Sequence, residues 1–203
     1  MEICPFDATA AEHTTNADPL DKSPPNNRHA THCPSILHLD LPPHEIFALH
    51  YWIFKSEPDE YGIDHLAAEK NRTARWDGIR NYQARNNLRD HVRAGDQVLF
   101  YHSSCKHTGI AGSMEVVKAA YPDPAQFDPA SKYYDPRSTP DKPRWYCVDV
   151  RLLEKFPGVI STRALKADPI TAELSIFKQG RLSIAPLTVA QWEAVRRLRQ
   201  ATS

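Results

Sequence analysis

Aromatic side chains and prolines are distributed unevenly along the chain, and this limits where a hydrophobic core can form. Residues 1–50 contain only two of the 19 Phe, Trp and Tyr residues, but seven of the 17 prolines. Such a segment cannot bury enough apolar surface to offset the entropy lost on ordering. We therefore predict a disordered leader over residues 1–50 and one folded domain over residues 51–203. A translation start downstream of Met1, which would make the leader an artefact, remains an alternative.

The charge of the chain divides at the same boundary. Residues 1–50 hold two basic and seven acidic residues, whereas the remainder holds 23 basic and 18 acidic residues. The predicted domain is therefore mildly basic, which is compatible with a polyanionic partner. No apolar run of about 18 residues is present, so no membrane span is predicted. The first residues also lack the basic start and apolar stretch of a secretory signal.

Cysteine and histidine spacing gives little support for a metal site or a disulfide framework. The four cysteines are scattered and form no CxxC pair, which predicts reduced thiols. The leader holds six of the ten histidines. Its candidate metal ligands are His29, His32, Cys33 and His38. Because their spacing matches no standard zinc pattern, we predict neither a metal nor a cofactor.

Hydrophobic periodicity predicts an α+β domain. Apolar and β-branched runs predict strands over residues 51–56, 97–102, 109–117, 144–156 and 182–184. Helical spacing predicts helices over residues 63–69, 82–92 and 161–166, and a final helix that begins at a Thr188–Gln191 capping box. Val189, Trp192, Val195, Arg196 and Leu198 would form the stripe of this final helix. The strands are clustered and show no βαβ repeat, which favours a small mixed or antiparallel barrel wrapped by helices.

Three clusters of side chains are typical of a binding site. Lys55, Ser56 and Glu57 end the first strand, where a rigid scaffold can position them. Residues 76–86 combine Trp76 with further aromatic, amide and guanidinium groups, which can stack on a base, read its edge and hold phosphates. Residues 100–104 end another strand. The loop over residues 121–143 is long, and such loops are often functional or mobile.

An enzymatic interpretation is also open at this point. Lys55 and Glu57 are two residues apart on a strand and would share a face, as acid–base chemistry requires. In contrast, His102 and Ser103 are adjacent in a strand and point to opposite faces. They cannot act as a base and its nucleophile.

Five strings occur in order along the predicted domain: YWIFKSEP, WDGIRNYQARNNLR, GDQVLFYHSS, YYDPRSTPDKPRWYCVDV and GRLSIAPLT. Together they resemble the EVE domain family, which includes the thymocyte nuclear protein 1 group, from about Tyr51 to Leu198. The resemblance implies a PUA-like fold, in which a small curved β-barrel is flanked by helices. It also implies similarity to YTH domains, which flip a methylated base into an aromatic pocket.

By this resemblance the expected function is non-enzymatic binding of a modified base, such as 5-methylcytosine or an oxidised derivative. The partner would be modified DNA or RNA, and the protein would be a monomer with no membrane association. It would be cytoplasmic in a bacterium and nuclear in a eukaryote. The alternatives are a PUA-like hydrolase of modified nucleosides that uses Lys55 and Glu57, and an RNA-binding module without modification preference.

The resemblance also implies a set of pocket residues. They are Lys55, Ser56, Trp76, Gly78, Arg80, Asn81, Tyr82, Tyr101, His102, Ser103, Arg181, Leu182 and Ser183. We expect Trp76 to stack on the base, and Ser56 and Asn81 to hydrogen-bond its edge. Lys55, Arg80 and Arg85 would approach phosphates, and Tyr101 or His102 would line the wall. Tyr61 stands where the family often has a capping Ser, and we expect it to affect stability rather than the pocket.

Overall fold

A computed structural model describes residues 49–201. The predicted leader and its candidate metal ligands lie almost wholly outside this part of the chain. Within it, no helix is long and apolar enough to cross a membrane. Over the same residues, no group of three or more His, Cys, Asp or Glu side chains is arranged to hold a metal ion.

Six strands form one mixed sheet in the described residues. They are β1 Tyr51–Ser56, β2 Thr73–Trp76, β3 Gln97–His102, β4 Gly109–Pro122, β5 Tyr146–Ser161 and β6 Ile184–Leu187. Their order in the sheet is β2-β5-β4-β3-β1-β6. Only the β1–β3 pair is parallel, and the other neighbouring pairs are antiparallel. The prediction of an α+β fold is confirmed.

The two longest strands bend because their pairing is irregular. Register shifts interrupt the β4–β5 ladder at four points, among them between Ile110 and Gly112 and between Ser113 and Met114. Such bulges increase strand twist and curve a sheet. β2 and β6 are the edge strands of the sheet in the described residues. They do not pair with each other, so the curved sheet over these residues is open and does not close into a barrel.

Short helices connect the strands and cover the sheet. The α-helices are α1 Pro58–Tyr61, α2 Ile63–Ala68, α3 Tyr82–Asn86, α4 Thr162–Ala167, α5 Ser175–Lys178 and α6 Val189–Ala201. A π-helical segment, Asn87–His91, continues α3, so the helix predicted over residues 82–92 is present but changes pitch. The 3₁₀ turns are Lys70–Arg72, Pro124–Gln126 and Thr171–Glu173.

Local capping signals are confirmed. Gln191 donates its backbone N–H to the Thr188 hydroxyl at 3.2 Å, and the Gln191 side chain accepts from Thr188 N at 3.0 Å. Ser161 caps α4 by accepting from Ala164 N at 3.2 Å. The predicted stripe of α6 is wrong at Val189, which is 62% exposed, and at Arg196, which is also exposed, whereas Trp192 and Val195 are buried.

Several strand bounds differ from the sequence prediction. β1 and β3 match it, but β4 continues to Pro122 and β5 to Ser161, because each pairs with the other along its length. β2 was not predicted, since a strand of four residues gives little alternation to detect. β6 begins at Ile184, two residues later than expected.

The central strands β1 and β3 position the site. Ile53, Phe54, Leu99 and Phe100 are all at most 2% exposed, as expected for parallel neighbours covered on both faces. Because β1 and β3 run in the same direction, their carboxyl ends meet at one edge of the sheet, with Ser56 beside His102.

Candidate base-binding cavity

A cavity of about 770 Å³ opens beside the carboxyl ends of β1 and β3. The ends of the two strands are held together here because Ser103 N, just after β3, donates to Ser56 O of β1 at 2.9 Å. The cavity is lined by Lys55, Ser56, Glu57, Glu60, Tyr61, residues 75–81, Ser103, Ser104, Lys132, Tyr133, Gly180, Arg181 and Ser183. Residues far apart in sequence therefore build one concave surface, the usual form of a small-molecule site.

Trp76, at the end of β2, lies between this cavity and the hydrophobic core. Its side chain lines the cavity but is only 5% exposed. Its ring packs against Phe100 at 5.1 Å and Phe54 at 5.5 Å, measured between ring centroids. Tyr61 meets it edge-on at 6.3 Å. Trp76 is therefore a core residue that presents part of its surface to the cavity.

Tyr133 supplies a second aromatic surface, and Gly78 makes room for it. Gly78 has a φ of +72°, which side-chain-bearing residues rarely adopt. A Cβ placed on Gly78 would lie 2.6 Å from Cζ of Tyr133. A glycine is therefore needed here both for the backbone conformation and for the approach of the tyrosine ring.

Arg80 fixes the loop that carries Tyr133. Its Nη1 donates to Asp123 Oδ2 at 2.8 Å, and its Nε donates to the Tyr133 carbonyl at 3.1 Å. Its Nη2 also donates to that carbonyl. Gly78 N donates to the same Asp123 oxygen at 3.2 Å, and Asp123 is fully buried. This guanidinium is occupied by internal partners, as buried polar groups require.

Asn81 has one hydrogen-bonding group committed to the fold and one free. Its Oδ1 accepts from Ala84 N at 3.0 Å and caps α3. Because the cap requires the oxygen, the orientation of the amide is defined and Nδ2 faces away from the helix. In the described part of the chain Nδ2 has no partner, so Asn81 can offer a donor to a ligand in the cavity.

The cavity carries more positive than negative charge. Its basic residues are Lys55, Arg75, Arg80, Lys132 and Arg181, and its acidic residues are Glu57, Glu60 and Asp77. Arg75 pairs with Asp77, and Lys132 pairs with Glu60. Arg181 forms no ion pair among residues 49–201.

Lys55 is held at the cavity by a neutral partner. Its Nζ donates to Gly180 O at 2.9 Å. Burial lowers the pKa of this ammonium group from its ordinary value. Because the bond to Gly180 O uses one of the three Nζ donors, the other donors are available to a ligand acceptor or an anion. A bound anion would favour the charged form of the lysine.

Comparison with known proteins identifies the family. The sequence profile of the EVE domain matches residues 50–198. The chain belongs to the EVE domain family.

Relatives and solved structures agree with this assignment. Thymocyte nuclear protein 1 of Danio rerio is 41% identical over 162 residues, which cover 71% of this chain and 69% of the relative. A hypothetical protein from Leishmania major is 41% identical with a TM-score of 0.72, over 76% of this chain and 96% of that one. The human THYN1 protein, solved in complex with DNA that contains 5-methylcytosine, is 38% identical with a TM-score of 0.71, over 74% and 98%.

Most of the residues implied by the family resemblance meet in the cavity of this EVE domain. They are Lys55, Ser56, Trp76, Gly78, Arg80, Asn81, Ser103, Arg181 and Ser183. Tyr61 also lines the cavity, contrary to the expectation that it affects stability more than binding and does not touch the pocket directly. The sequence does not single out Tyr133 as a site residue. It lies in the 121–143 loop, whose length indicates a functional or mobile segment.

Three predicted residues are buried elsewhere in the EVE domain. Tyr101 is 6% exposed, and its hydroxyl hydrogen-bonds Thr162 Oγ1 at 2.7 Å. His102 Nε2 accepts from Ile63 N at 3.1 Å, and burial lowers the pKa of this imidazole. Leu182 is 3% exposed. The structure does not place these side chains in the cavity wall, because β3 is covered on both faces and Leu182 packs into the core.

Tyr82 and Arg85 lie on a neighbouring surface instead. The Tyr82 ring stacks on Trp145 with centroids 5.0 Å apart, and the side chain is 48% exposed. Arg85 donates to Asn86 Oδ1 and, at 3.1 Å, to Arg144 O. Neither residue lines the cavity, so the phosphate contact expected of Arg85 would lie outside it.

Proposed function

We propose that this EVE domain binds one modified nucleobase, rotated out of a DNA or RNA strand, in the cavity beside β1 and β3. The observation that carries the proposal is the combination of aromatic surface with polar groups that keep unused hydrogen-bonding capacity. The human relative crystallised with 5-methylcytosine DNA supports it. On this proposal the protein binds without catalysing a reaction.

Each surface of the cavity has a role in this binding. Tyr133 and the accessible part of Trp76 contact the plane of the base, since aromatic stacking contributes about 1–3 kcal/mol per base. Asn81 Nδ2 donates to an acceptor on the base, such as the carbonyl oxygen or ring nitrogen of cytosine. The hydroxyls of Ser56 and Ser103 complete the contacts to the edge.

The energetics predict the type of mark that is best discriminated. Removing a base from the stack costs a few kcal/mol. A methyl group returns only about 0.8 kcal/mol on burial, so selectivity for 5-methylcytosine over cytosine should be modest. An oxidised base with a new polar group can be distinguished more strongly. Cavity groups that hydrogen-bond this polar group would be left without a partner when plain cytosine is bound.

Phosphate contacts at the cavity mouth fall to Lys55 and Arg181. Lys55 keeps free donors beside its bond to Gly180 O. Arg181 is exposed and forms no ion pair in the part of the chain that the structure describes. Arg80, in contrast, is bonded to Asp123 and Tyr133. We therefore assign the phosphate role proposed for Arg80 to Arg181.

The test is binding of the full chain to matched oligonucleotides at fixed salt, with cytosine, 5-methylcytosine or an oxidised cytosine at one position. Fixed salt is needed because phosphate contacts alone shift affinity strongly. A preference of severalfold for one modified base supports the proposal. Equal affinity for all three overturns it and favours a nucleic-acid-binding module without modification preference.

Asn81→Asp is the sharpest variant for this test. Asp caps a helix as well as Asn does, so the α3 cap and the fold should be retained. The donor that faces the cavity becomes an acceptor with negative charge. We expect at least about tenfold weaker binding of the preferred oligonucleotide, the scale of a lost hydrogen bond to a polar group. Unchanged affinity would remove Asn81 from base recognition.

A hydrolase remains the competing hypothesis because Lys55 and Glu57 both line the cavity. It predicts product from a panel of modified nucleosides, and loss of that product in Lys55→Ala. Turnover would replace the binding proposal. The monomeric state, the compartment and the boundary at residue 51 are further proposals, which gel filtration, localisation and limited proteolysis would test.

A further inference from the structure

A basic surface lies beside the cavity, where the α3–π-helical segment meets the start of β5. We name it the Tyr82 surface, and it consists of Tyr82, Arg85, Arg89 and Arg144. Tyr82, Arg85 and Arg89 are spaced three and four residues apart, so they follow one face of the helical segment. Arg144 Nη2 donates to the Tyr82 hydroxyl, and Arg144 O accepts from Arg85. These contacts fasten the two segments together.

The Tyr82 surface carries an excess of positive charge. Arg85 bonds only neutral groups, Asn86 Oδ1 and Arg144 O, among the described residues. Arg89 pairs with Asp90 at 2.7 Å. Arg144 lies 3.2 Å from Asp135, a nearly buried carboxylate that also accepts from Trp145 Nε1 at 2.8 Å. Arg89 is exposed, and Arg85 and Arg144 are partly buried. These three guanidiniums have two carboxylate partners, Asp90 and Asp135, which leaves an excess of one positive charge.

The aromatic ring of the surface is largely occupied by protein groups. Trp145 stacks on Tyr82, and the Arg85 guanidinium lies over the same ring at 4.9 Å from its centroid. The Arg144 guanidinium is 5.9 Å from that centroid. The exposed part of Tyr82 is thus bordered by cations, a geometry that suits a phosphate better than a stacked base.

The surface connects to the cavity through a continuous stack. Arg80 lies over Tyr133 of the cavity at 5.1 Å and over Trp145 at 5.3 Å, and Trp145 stacks on Tyr82 at 5.0 Å. Phosphates of one strand recur about every 3.4 Å along B-form DNA. A strand whose base enters the cavity therefore reaches the Tyr82 surface within a few nucleotides.

We propose that the Tyr82 surface binds phosphates of the strand that flanks the captured base. This inference rests on the proposed function, and it adds a second contact region that provides affinity without reading the modification. Binding there should weaken as salt increases, equally for modified and unmodified strands.

The experiment compares the full-length Arg85→Gln/Arg89→Gln variant with the wild-type chain. The probes are fluorescent single-stranded DNAs that carry 5-methylcytosine or cytosine at one position, titrated over a series of NaCl concentrations. We expect at least about tenfold weaker binding of both probes. The slope of log affinity against log salt should fall by about 0.7 for each lost phosphate contact.

Two controls separate charge from folding. Arg196→Gln/Arg197→Gln removes the same charge from α6, and both affinity and slope should be retained. Arg85→Lys/Arg89→Lys keeps the positive charge, and most of the salt slope should return. Thermal unfolding midpoints show whether each variant is folded.

Each outcome has a defined meaning. Unchanged affinity and slope in the Gln variant overturn the inference, and so does a loss that is equal at every salt concentration, which would indicate base stacking. Equal wild-type binding of the two probes would contradict reading of 5-methylcytosine. A reduced slope in the same data would still support phosphate binding at this surface.

Discussion

Gly78 and Tyr133 are mutually dependent, because the tyrosine ring occupies the space that a side chain at residue 78 would need. The ring atoms Cζ and Cε2 lie 2.6 and 2.8 Å from the position of an added Cβ. These residues come from the β2–α3 connection and from the 121–143 loop. The shape of the cavity therefore depends on a contact between two irregular segments that are distant in sequence.

Gly78→Ala should destabilise the fold and displace Tyr133. The left-handed backbone alone costs about 1–2 kcal/mol for a residue with a Cβ, and the ring must also move. Gly95→Ala is the matched control, because Gly95 has a φ of +93° with nothing within 4 Å of an added Cβ. In urea unfolding and oligonucleotide binding, both variants should lose stability, but only Gly78→Ala should lose affinity. Equal losses of oligonucleotide affinity in the two variants would show that the contact between residue 78 and Tyr133 does not contribute to binding.

Asp123→Asn should loosen the loop that carries Tyr133. The buried carboxylate of Asp123 accepts hydrogen bonds from the Arg80 guanidinium and from the backbone N–H groups of Gly78 and Ala125. Breaking such a buried pair costs about 3 kcal/mol, measurable as a lower urea midpoint. Glu193→Gln removes an exposed partner of Arg196 and should cost about 0.5 kcal/mol or less. Similar costs for the two variants would contradict a structural role for Asp123.

Trp76→Ala should remove stability together with binding, because the residue belongs to the core. Truncating a buried tryptophan costs about 3–5 kcal/mol. Tyr133→Ala should separate the two effects, since Tyr133 is only half-buried. We expect it to cost less in urea unfolding while reducing oligonucleotide affinity by about ten- to a hundredfold, the scale of one base stack. Retained affinity in folded Tyr133→Ala would remove this ring from the proposed site.

His102 should make the fold less stable in mild acid. Burial lowers the pKa of the folded imidazole below its ordinary value of 6.5, so the unfolded chain binds the proton more readily. The stabilising contribution is fully present above pH 6.5 and is lost as the pH falls towards the folded pKa. The free energy of unfolding, followed from pH 8 to pH 5, should decrease less for His102→Gln, whose Oε1 can still accept from Ile63 N. Parallel curves for the variant and the wild type would contradict this assignment.

Local signals in the sequence predict the regular elements well. β1 and β3 are confirmed with their bounds because aromatic and β-branched side chains dominate both runs. The caps at Ser161 and Thr188 are confirmed because each depends on side chains within three residues of the helix start. The string containing Trp76, Gly78 and Asn81 also indicates the site, since these residues are close in sequence and remain close in space.

Tertiary structure alone decides which of these residues share the cavity. Arg80 meets Asp123 and Tyr133, which are 43 and 53 residues away, so its internal role depends on how a long loop packs. Tyr101 and His102 end a strand that points towards the site, yet both are buried because β3 is covered on its two faces. Local propensity acts over a few residues and determines the strands, helices and caps. The cavity depends on contacts between distant segments, whose geometry is set only when the sheet and its loops pack together.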